Sequence, residues 1–267
     1  MKLSFSTVGC PNWRWNEVLA AASDLGYDGI ELRGLGEELK TPSIDLFSPA
    51  RVSGTRGELA MRGLSVFCLA SDVLLHSEDG NALVDAGAYI ELARALGTPY
   101  VRVLCDSWGE PGPVDEDLVY KRLRALAPAA AAASVTLLVE TNGVWSDTGK
   151  LKQLLGAVDS SAVAALWDVN HPVRNFGETV QTTWNNIGPY VRHVHLKDSV
   201  SENGKTVYKL LGYGDLPLRE ALSRLKGVGF DGALSMEWVK RWNAELEDAG
   251  IVFAHYVYQV KKLWQEA

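Results

Sequence analysis

The feature that most limits what this chain can fold into is a repeated alternation of short β-branched runs with longer amphipathic runs rich in Ala and Leu. Such alternation is typical of parallel strands joined by crossover helices. It predicts eight strands, at 3–8, 29–33, 65–70, 100–106, 136–142, 162–170, 192–198 and 233–239. A spacing of about 30 residues per unit matches a (β/α)8 barrel of ~250 residues. The predicted fold class is therefore α/β, a single (β/α)8 barrel, with a doubly wound open sheet as the alternative.

The 267 residues are predicted to form one domain, residues 1–267. The one long polar stretch with glycines, 199–214, has the same strand–helix rhythm on both sides, so we interpret it as a loop. Within it, 201–205 is predicted to be a turn between two short extended pieces.

Charge and cysteine content narrow the function classes. A formal net charge of −7 disfavours nucleic acid as a partner, because that affinity comes largely from Lys and Arg. Cys10, Cys68 and Cys105 are too widely spaced for a CxxC zinc site and are typical of reduced thiols. Neither a signal peptide nor a run of eighteen apolar residues is present, so we expect a cytoplasmic protein with no membrane contact.

Side-chain parity separates an apolar from a polar face in the late strands, since successive strand residues point to opposite faces. In the strand at 192–198, Val194 and Leu196 point one way, and His195 and Lys197 point the other. Each of the late strands carries one metal-binding residue type near the carboxyl end of its polar face, and the set is Glu140, Asp168, His195 and Glu237. Active sites of barrels are built at this end of the strands.

Three carboxylates and one imidazole in one place would repel one another or stay protonated unless a cation joined them. We therefore predict that these four residues bind one divalent metal ion; a salt-bridged strand-end carboxylate is the alternative for either glutamate taken alone. An oxygen-rich set with a single imidazole does not suit a closed structural zinc site. Mn²⁺ is the expected ion, with Mg²⁺, Co²⁺ and Zn²⁺ as alternatives.

A metal ion held there would chelate a carbonyl and a neighbouring hydroxyl of a substrate and stabilise the enediolate that forms when a carboxylate removes the α-proton. Return of the proton elsewhere gives isomerisation, return from the opposite face gives epimerisation, and loss of a β-hydroxyl gives dehydration. Lys197 shares the face of His195, so we predict that it donates to an oxyanion or a leaving hydroxyl.

Other inward or loop residues are second candidates for substrate binding. Glu31 and Arg102 face the predicted barrel mouth, where they contact substrate or pair inside the barrel together with Arg33. His76 lies on the loop after the third strand, as a substrate ligand or a solvated histidine. His193, two residues deeper than His195, is interpreted as a core histidine or a partner of the metal site.

Three loop tryptophans are predicted to line a sugar-sized pocket, with oligomer contacts as the alternative role. They are Trp13, Trp108 and Trp145.

Four segments, LLVETNG (137–143), WDVNHP (167–172), VHLKD (194–198) and SMEW (235–238), occur in this order along the chain. Together with GYDGIELR (26–33) and LGYGDLPL (211–218), they resemble the xylose-isomerase-like TIM barrel superfamily of sugar isomerases and epimerases over essentially the whole chain. The resemblance assigns metal binding to the same four residues. It also implies that His171 contacts the substrate and that Glu140 and Glu237 are the acid–base pair.

The expected function is thus a metal-dependent isomerase or epimerase acting on a sugar or polyol-derived carbonyl compound. The arginine that the epimerases place after the metal histidine is replaced here by Lys197-Asp198, which also occurs in related dehydratases. A dehydratase or lyase acting on a cyclic polyol ketone is therefore the main alternative.

Two further alternatives are weaker. Apurinic endonucleases of this barrel family use a multi-zinc cluster, and five histidines are too few for it. A sensor that binds a sugar acid or polyol would not need all four ligands. A free sugar, sugar acid or inositol derivative is preferred over a sugar phosphate, and the resemblance leaves a homo-oligomer open because related barrels are often dimers or tetramers.

Overall fold

Eight parallel strands close into a barrel in the computed structural model, which describes residues 1–77, 80–106 and 110–267. The barrel strands are β1 (Lys2–Ser6), β2 (Gly29–Leu32), β3 (Ser65–Leu74), β4 (Tyr100–Leu104), β5 (Thr136–Glu140), β6 (Val163–Asp168), β7 (Val191–His195) and β10 (Ala233–Met236). Their order around the barrel is β1-β10-β7-β6-β5-β4-β3-β2. The predicted (β/α)8 barrel is confirmed.

The helices of the described residues cover the outside of the barrel. They are α1 (Trp15–Asp24), α2 (Val52–Met61), α3 (Ala82–Leu96), α4 (Glu116–Ala132), α5 (Thr148–Val158), α6 (Asn170–Phe176), α7 (Val180–Ile187), α8 (Leu218–Gly227) and α9 (Ala249–Glu266). Side-chain caps fix several starts: Asp115 accepts a hydrogen bond from the backbone N–H of Leu118, and Asp147 accepts one from Lys150. None of the helices that the structure describes is both long and apolar enough to cross a membrane.

Most predicted strands end earlier in the structure than in the sequence pattern. The strand predicted at 136–142 ends at Glu140, and a 3-10 helix follows at Gly143–Ser146. The strand predicted at 65–70 instead continues to Leu74. The polar residues at the carboxyl ends therefore lie at or just beyond the last paired residue, where their side chains reach the barrel mouth.

The predicted division of the strand faces is confirmed by burial. Leu234, Met236 and Trp238 are buried against the helices, and Phe5 of β1 stacks on Phe253 of α9 with 4.1 Å between ring centroids. The barrel interior contains a separate small apolar cluster. This interior floor consists of Cys68, Leu138, Ala164 and Leu166. It lies two residues below the polar layer on β5 and β6, so it supports the site from beneath.

An antiparallel hairpin leaves the barrel after β7. It consists of β8 (Asp198–Glu202) and β9 (Lys205–Lys209), joined at Asn203 and Gly204, which both have positive φ. Asn-Gly is the residue pair that such a two-residue turn favours. The predicted turn between two extended pieces is confirmed.

Candidate functional site

Four side chains from four barrel strands meet at the carboxyl end of the barrel, and we call them the four-residue centre. They are Glu140 at the end of β5, Asp168 at the end of β6, His195 at the end of β7 and Glu237 just after β10. One donor atom from each lies within 4.8 Å of the donor atoms of the other three. The structure thus brings together all four residues that were predicted to bind metal.

In Glu140 and Asp168, one carboxylate oxygen accepts a hydrogen bond from the protein and the other faces the four-residue centre. Glu140 Oε2 accepts a hydrogen bond from Arg102 Nη1 at 3.1 Å, while Oε1 lies 3.3 Å from His195 Nδ1. Asp168 Oδ1 accepts from the backbone N–H of Asn170 at 2.8 Å, and Oδ2 lies 3.7 Å from His195 Nδ1. These hydrogen bonds already fix the orientation of both side chains, so an ion that binds there would need to order them little further.

Glu31 of β2 reaches across the barrel interior to two histidines of β7. Its Oε2 lies 2.7 Å from His193 Nε2 and 2.9 Å from His195 Nε2, and all three side chains are fully buried. Because a carboxylate only accepts hydrogen bonds, both Nε2 atoms donate. In a neutral His195 ring this leaves the lone pair on Nδ1, the atom that faces the centre.

The geometry of the four-residue centre fits a divalent cation. His195 Nδ1 is buried without a hydrogen-bond partner and faces carboxylate oxygens of Glu140, Asp168 and Glu237 at 3.3, 3.7 and 3.5 Å. An imidazole lone pair opposed to three carboxylates is unfavourable unless a proton or a metal ion lies between them. Donor atoms about 2.1 Å from an octahedral ion are roughly 3 to 4.2 Å apart, and the three separations from His195 Nδ1 lie in this range.

Lys197 supplies a fixed positive charge beside the centre. Its buried ammonium bonds Glu237 Oε2 and lies 2.6 Å from Asp168 Oδ2. Burial alone would lower the pKa of Lys197, but Asp168 and Glu237 outweigh burial and raise that pKa well above its usual value. Lys197 is therefore a cation and a hydrogen-bond donor in this site rather than a base.

The charges also set the protonation of the carboxylates. Burial alone would raise the pKa of Glu140, but the Arg102 guanidinium and His195 outweigh it and lower that pKa to about 2. Burial would likewise raise the pKa of Asp168, but the charges of His171 and Lys197 outweigh burial and lower that pKa below its usual value. Both carboxylates are ionised at neutral pH, as metal binding requires.

Metal binding to the four-residue centre is expected to release about one proton near neutral pH. Without metal, burial opposes protonation of His195, but Glu31 and Glu237 outweigh it and raise the pKa of His195 well above its usual value. A metal ion needs the neutral ring, so it competes with that proton, and below this pKa the apparent affinity should rise about tenfold per pH unit. Calorimetric titration with Mn²⁺ in two buffers of different ionisation enthalpy counts the released protons. Affinity independent of pH, with no proton released, would contradict this.

A cavity of about 720 Å³ opens directly above the centre. Two members of the four-residue centre, Glu140 and Glu237, form part of its wall together with Lys197. The other residues that line it, among those the structure describes, are Val8, Arg33, Leu39, Arg102, Leu104, Asn142, His171, Tyr208, Val239, Trp242 and Asn243. The volume suits a small molecule of sugar size.

The structure places some of the predicted substrate residues in this wall and others elsewhere. Arg102 and His171 line the cavity, and His171 Nδ1 donates to the Thr141 carbonyl at 3.0 Å. Glu31 is not in the described wall, because its carboxylate is held beneath His195. His76 is also absent from the described wall, since β3 continues to Leu74 and His76 follows on a turn.

The tryptophan predictions have three different outcomes. Trp145 is buried in the core, where its Nε1 donates to the Cys105 carbonyl at 2.8 Å, so the predicted pocket role is wrong. Trp13 packs edge-on against Phe253 and does not border this cavity as far as it is described. Trp108 lies outside the described residues.

Sequence reasoning missed residues that shape the site. Thr141 Oγ1 accepts from the backbone N–H of Asp168 at 2.9 Å and joins the ends of β5 and β6. Tyr208, on the hairpin, lines the cavity with its ring centroid 5.8 Å from Lys197 Nζ. The segment LLVETNG carried a signal for Thr141, because that residue directly follows Glu140. The position of Tyr208 depends on how the hairpin folds back, which no local pattern specifies.

Comparison with known proteins gives relatives over nearly the whole chain. A model of the family described as xylose isomerase-like TIM barrel matches residues 19–253. Fructoselysine 3-epimerase of Shigella flexneri is 22% identical over 261 residues, which cover 92% of each chain.

Solved structures share the fold at low sequence identity. The probable 3-DHS dehydratase AsbF of Bacillus anthracis has a TM-score of 0.77 at 19% identity, with 98% of this chain and 99% of that chain covered. A xylose isomerase-like TIM barrel protein of Mycobacterium smegmatis in complex with magnesium has a TM-score of 0.75 at 20% identity, with 99% and 97% covered.

Proposed function

Because this chain belongs to the xylose isomerase-like TIM barrel family, we propose that it is a divalent-metal-dependent isomerase or epimerase acting on a small sugar or polyol-derived carbonyl compound. The observation that carries the proposal is the four-residue centre at the base of a cavity of about 720 Å³. The relationship to a 3-epimerase over 92% of both chains supports the reaction class.

Glu140, Asp168, His195 and Glu237 would hold the metal ion, and Mn²⁺ is the ion that we propose. When bound, such a cation polarises a carbonyl and makes the hydrogen on the adjacent carbon more acidic. A magnesium complex of one structural relative supports a divalent ion of this class. The three buried free cysteines suit the reducing interior of a cell, where we propose that the enzyme acts.

The protein groups that move the proton would be Glu140 and Glu237, the two carboxylates that lie both in the centre and in the cavity wall. Glu140 is ionised and fixed by Arg102, so it can remove a proton from a carbon above it. Glu237 lies next to the Lys197 ammonium and can return a proton to the same carbon or to its neighbour. His171, in the wall, would orient a substrate hydroxyl.

Lys197 supports a second candidate, a dehydratase acting on a cyclic polyol ketone. Its ammonium is a permanent donor in the cavity wall next to Glu237. A donor at this point can protonate a β-hydroxyl as it leaves, after a carboxylate has removed the α-proton. One structural relative is a probable dehydratase.

Incubation of the Mn²⁺-loaded protein with ketoses and inososes in D₂O tests the proposal. We expect deuterium in the α-carbon of at least one compound, detected by proton NMR and mass spectrometry. A product of unchanged formula apart from deuterium identifies an isomerase or epimerase, and a product that has lost one water identifies a dehydratase. If the metal-loaded protein leaves every compound unlabelled, proton transfer on these substrates is wrong.

A further inference from the structure

Lys197 contacts the same carboxylate oxygens that face the four-residue centre. Its Nζ donates a hydrogen bond to Glu237 Oε2 and lies 2.6 Å from Asp168 Oδ2. These two oxygens lie 3.5 and 3.7 Å, respectively, from His195 Nδ1, the nitrogen that faces the centre. The ammonium and the imidazole nitrogen therefore meet the two carboxylates at the same oxygens.

Two other partners of these carboxylates bind oxygens that face away from the centre. Arg102 Nη1 donates to Glu140 Oε2, while Glu140 Oε1 faces the centre. The backbone N–H of Asn170 donates to Asp168 Oδ1, while Asp168 Oδ2 faces the centre. Both partners orient a carboxylate and leave its other oxygen to an ion. Lys197 differs from them, because its positive charge lies on the oxygens that an ion would use.

The contact between Lys197 and Asp168 is buried and is an ion pair rather than a hydrogen bond. The side chain of Lys197 is 1% exposed and that of Asp168 is 0% exposed, so solvent screens their charges little. Asp168 Oδ2 has no hydrogen-bond partner among the described residues, although Nζ lies close to it. This oxygen can therefore bind an ion while the ammonium stays beside it.

A divalent ion bound by these oxygens would lie close to the ammonium. With a metal–oxygen distance of about 2.1 Å and 2.6 Å between Nζ and Asp168 Oδ2, the ion would lie at most about 4.7 Å from Nζ. Two positive charges at this separation in a buried site repel each other. The ammonium also neutralises part of the negative charge that would attract the ion. Both effects lower the affinity of the centre for a metal ion.

We propose that Lys197 competes with the metal ion for Asp168 Oδ2 and Glu237 Oε2, and so keeps the metal affinity of the four-residue centre below the value that its four side chains alone would give. The inference rests on the proposed function, because it requires a divalent ion in the centre. The two carboxylates then divide their negative charge between the ammonium and the ion. More of the positive charge of the ion is left to polarise a substrate carbonyl, while the ion itself is bound more weakly.

The Mn²⁺ dissociation constant of Lys197→Met tests the inference without any substrate. Electron paramagnetic resonance of free Mn²⁺ measures this constant, at one pH and one ionic strength, after a chelator has removed bound metal. We expect the variant to bind Mn²⁺ about tenfold to a hundredfold more tightly than the wild type. Lys205→Met, which removes an exposed lysine at the start of β9, should bind Mn²⁺ like the wild type. Equal or weaker binding by Lys197→Met overturns the inference.

Lys197→Gln takes the place of Lys197→Met if that variant does not fold. Its amide is neutral but can still donate to Glu237, and it should also bind Mn²⁺ more tightly than the wild type. Tighter binding supports the inference even if no α-proton exchanges in any compound. Equal binding by wild type and variant overturns the inference and leaves the metal site intact. If neither protein binds Mn²⁺, the metal site and the inference are both wrong.

Discussion

Replacement of Glu237 by Gln is expected to lower the rate of α-proton exchange by about 10²- to 10⁴-fold and to reduce bound metal below one ion per chain. The amide has almost the same size as the carboxylate, but it cannot accept a proton at neutral pH and carries no charge. Lys197 would keep its contact with Asp168, so the ammonium stays in place. Elemental analysis and deuterium exchange on the same sample measure both effects.

The matched control is Glu245→Gln, which removes an exposed carboxylate eight residues further along the chain. It should keep wild-type metal content and exchange. Unchanged exchange in Glu237→Gln, at full metal loading, would show that Glu237 neither binds the metal nor carries the proton. In that case its carboxylate has only a structural role as the partner of Lys197.

The Glu31→Gln variant is expected to bind Mn²⁺ about 10- to 100-fold more weakly than the wild type, with substrate KM at saturating metal nearly unchanged. Glu31 accepts the Nε2–H of His195 and so directs the opposite nitrogen to the four-residue centre, where the proposed metal ion would bind. A neutral amide accepts this bond less strongly and leaves both histidine orientations poorly fixed. Equilibrium dialysis with Mn²⁺ and initial-rate kinetics at high Mn²⁺ separate the two quantities.

Glu91→Gln is the control for this variant, since Glu91 is an exposed carboxylate of α3 that pairs only with Arg94 among the described ion pairs. Circular dichroism confirms the fold of both proteins. A raised KM in Glu31→Gln with an unchanged Mn²⁺ dissociation constant would place Glu31 next to the substrate, which is one of the two roles that the sequence leaves open.

Strand parity was enough to predict the members of the four-residue centre. Polar residues on the inward face of adjacent parallel strands must meet at the same end of a barrel, whatever the details of packing. The pattern Leu138, Glu140 and Leu166, Asp168 also fixed their depth, because the apolar member of each pair forms the interior floor. Local sequence therefore determined which residues converge and at which level.

Contacts across the barrel could not be predicted in the same way. Glu31 and His195 are separated by 164 residues and lie on strands that are not neighbours, so no pairing pattern relates them. Parity gave Glu31 the correct face but not its depth relative to His195, which depends on the stagger of the strands around the closed barrel. Parity therefore could not decide between a substrate contact of Glu31 and a role inside the barrel.

The barrel strands position some residues of the site, and segments outside the barrel position others. The side chains of the four-residue centre and their partners Glu31, Arg102 and Asn170 are positioned by the barrel strands or by the residues directly after them. Tyr208 belongs instead to the hairpin, and Trp242 and Asn243 to the segment before α9. Exchanging the hairpin or that segment would alter which molecule is accepted while the reactive centre stays intact. One scaffold can in this way acquire new substrates through surface loops alone.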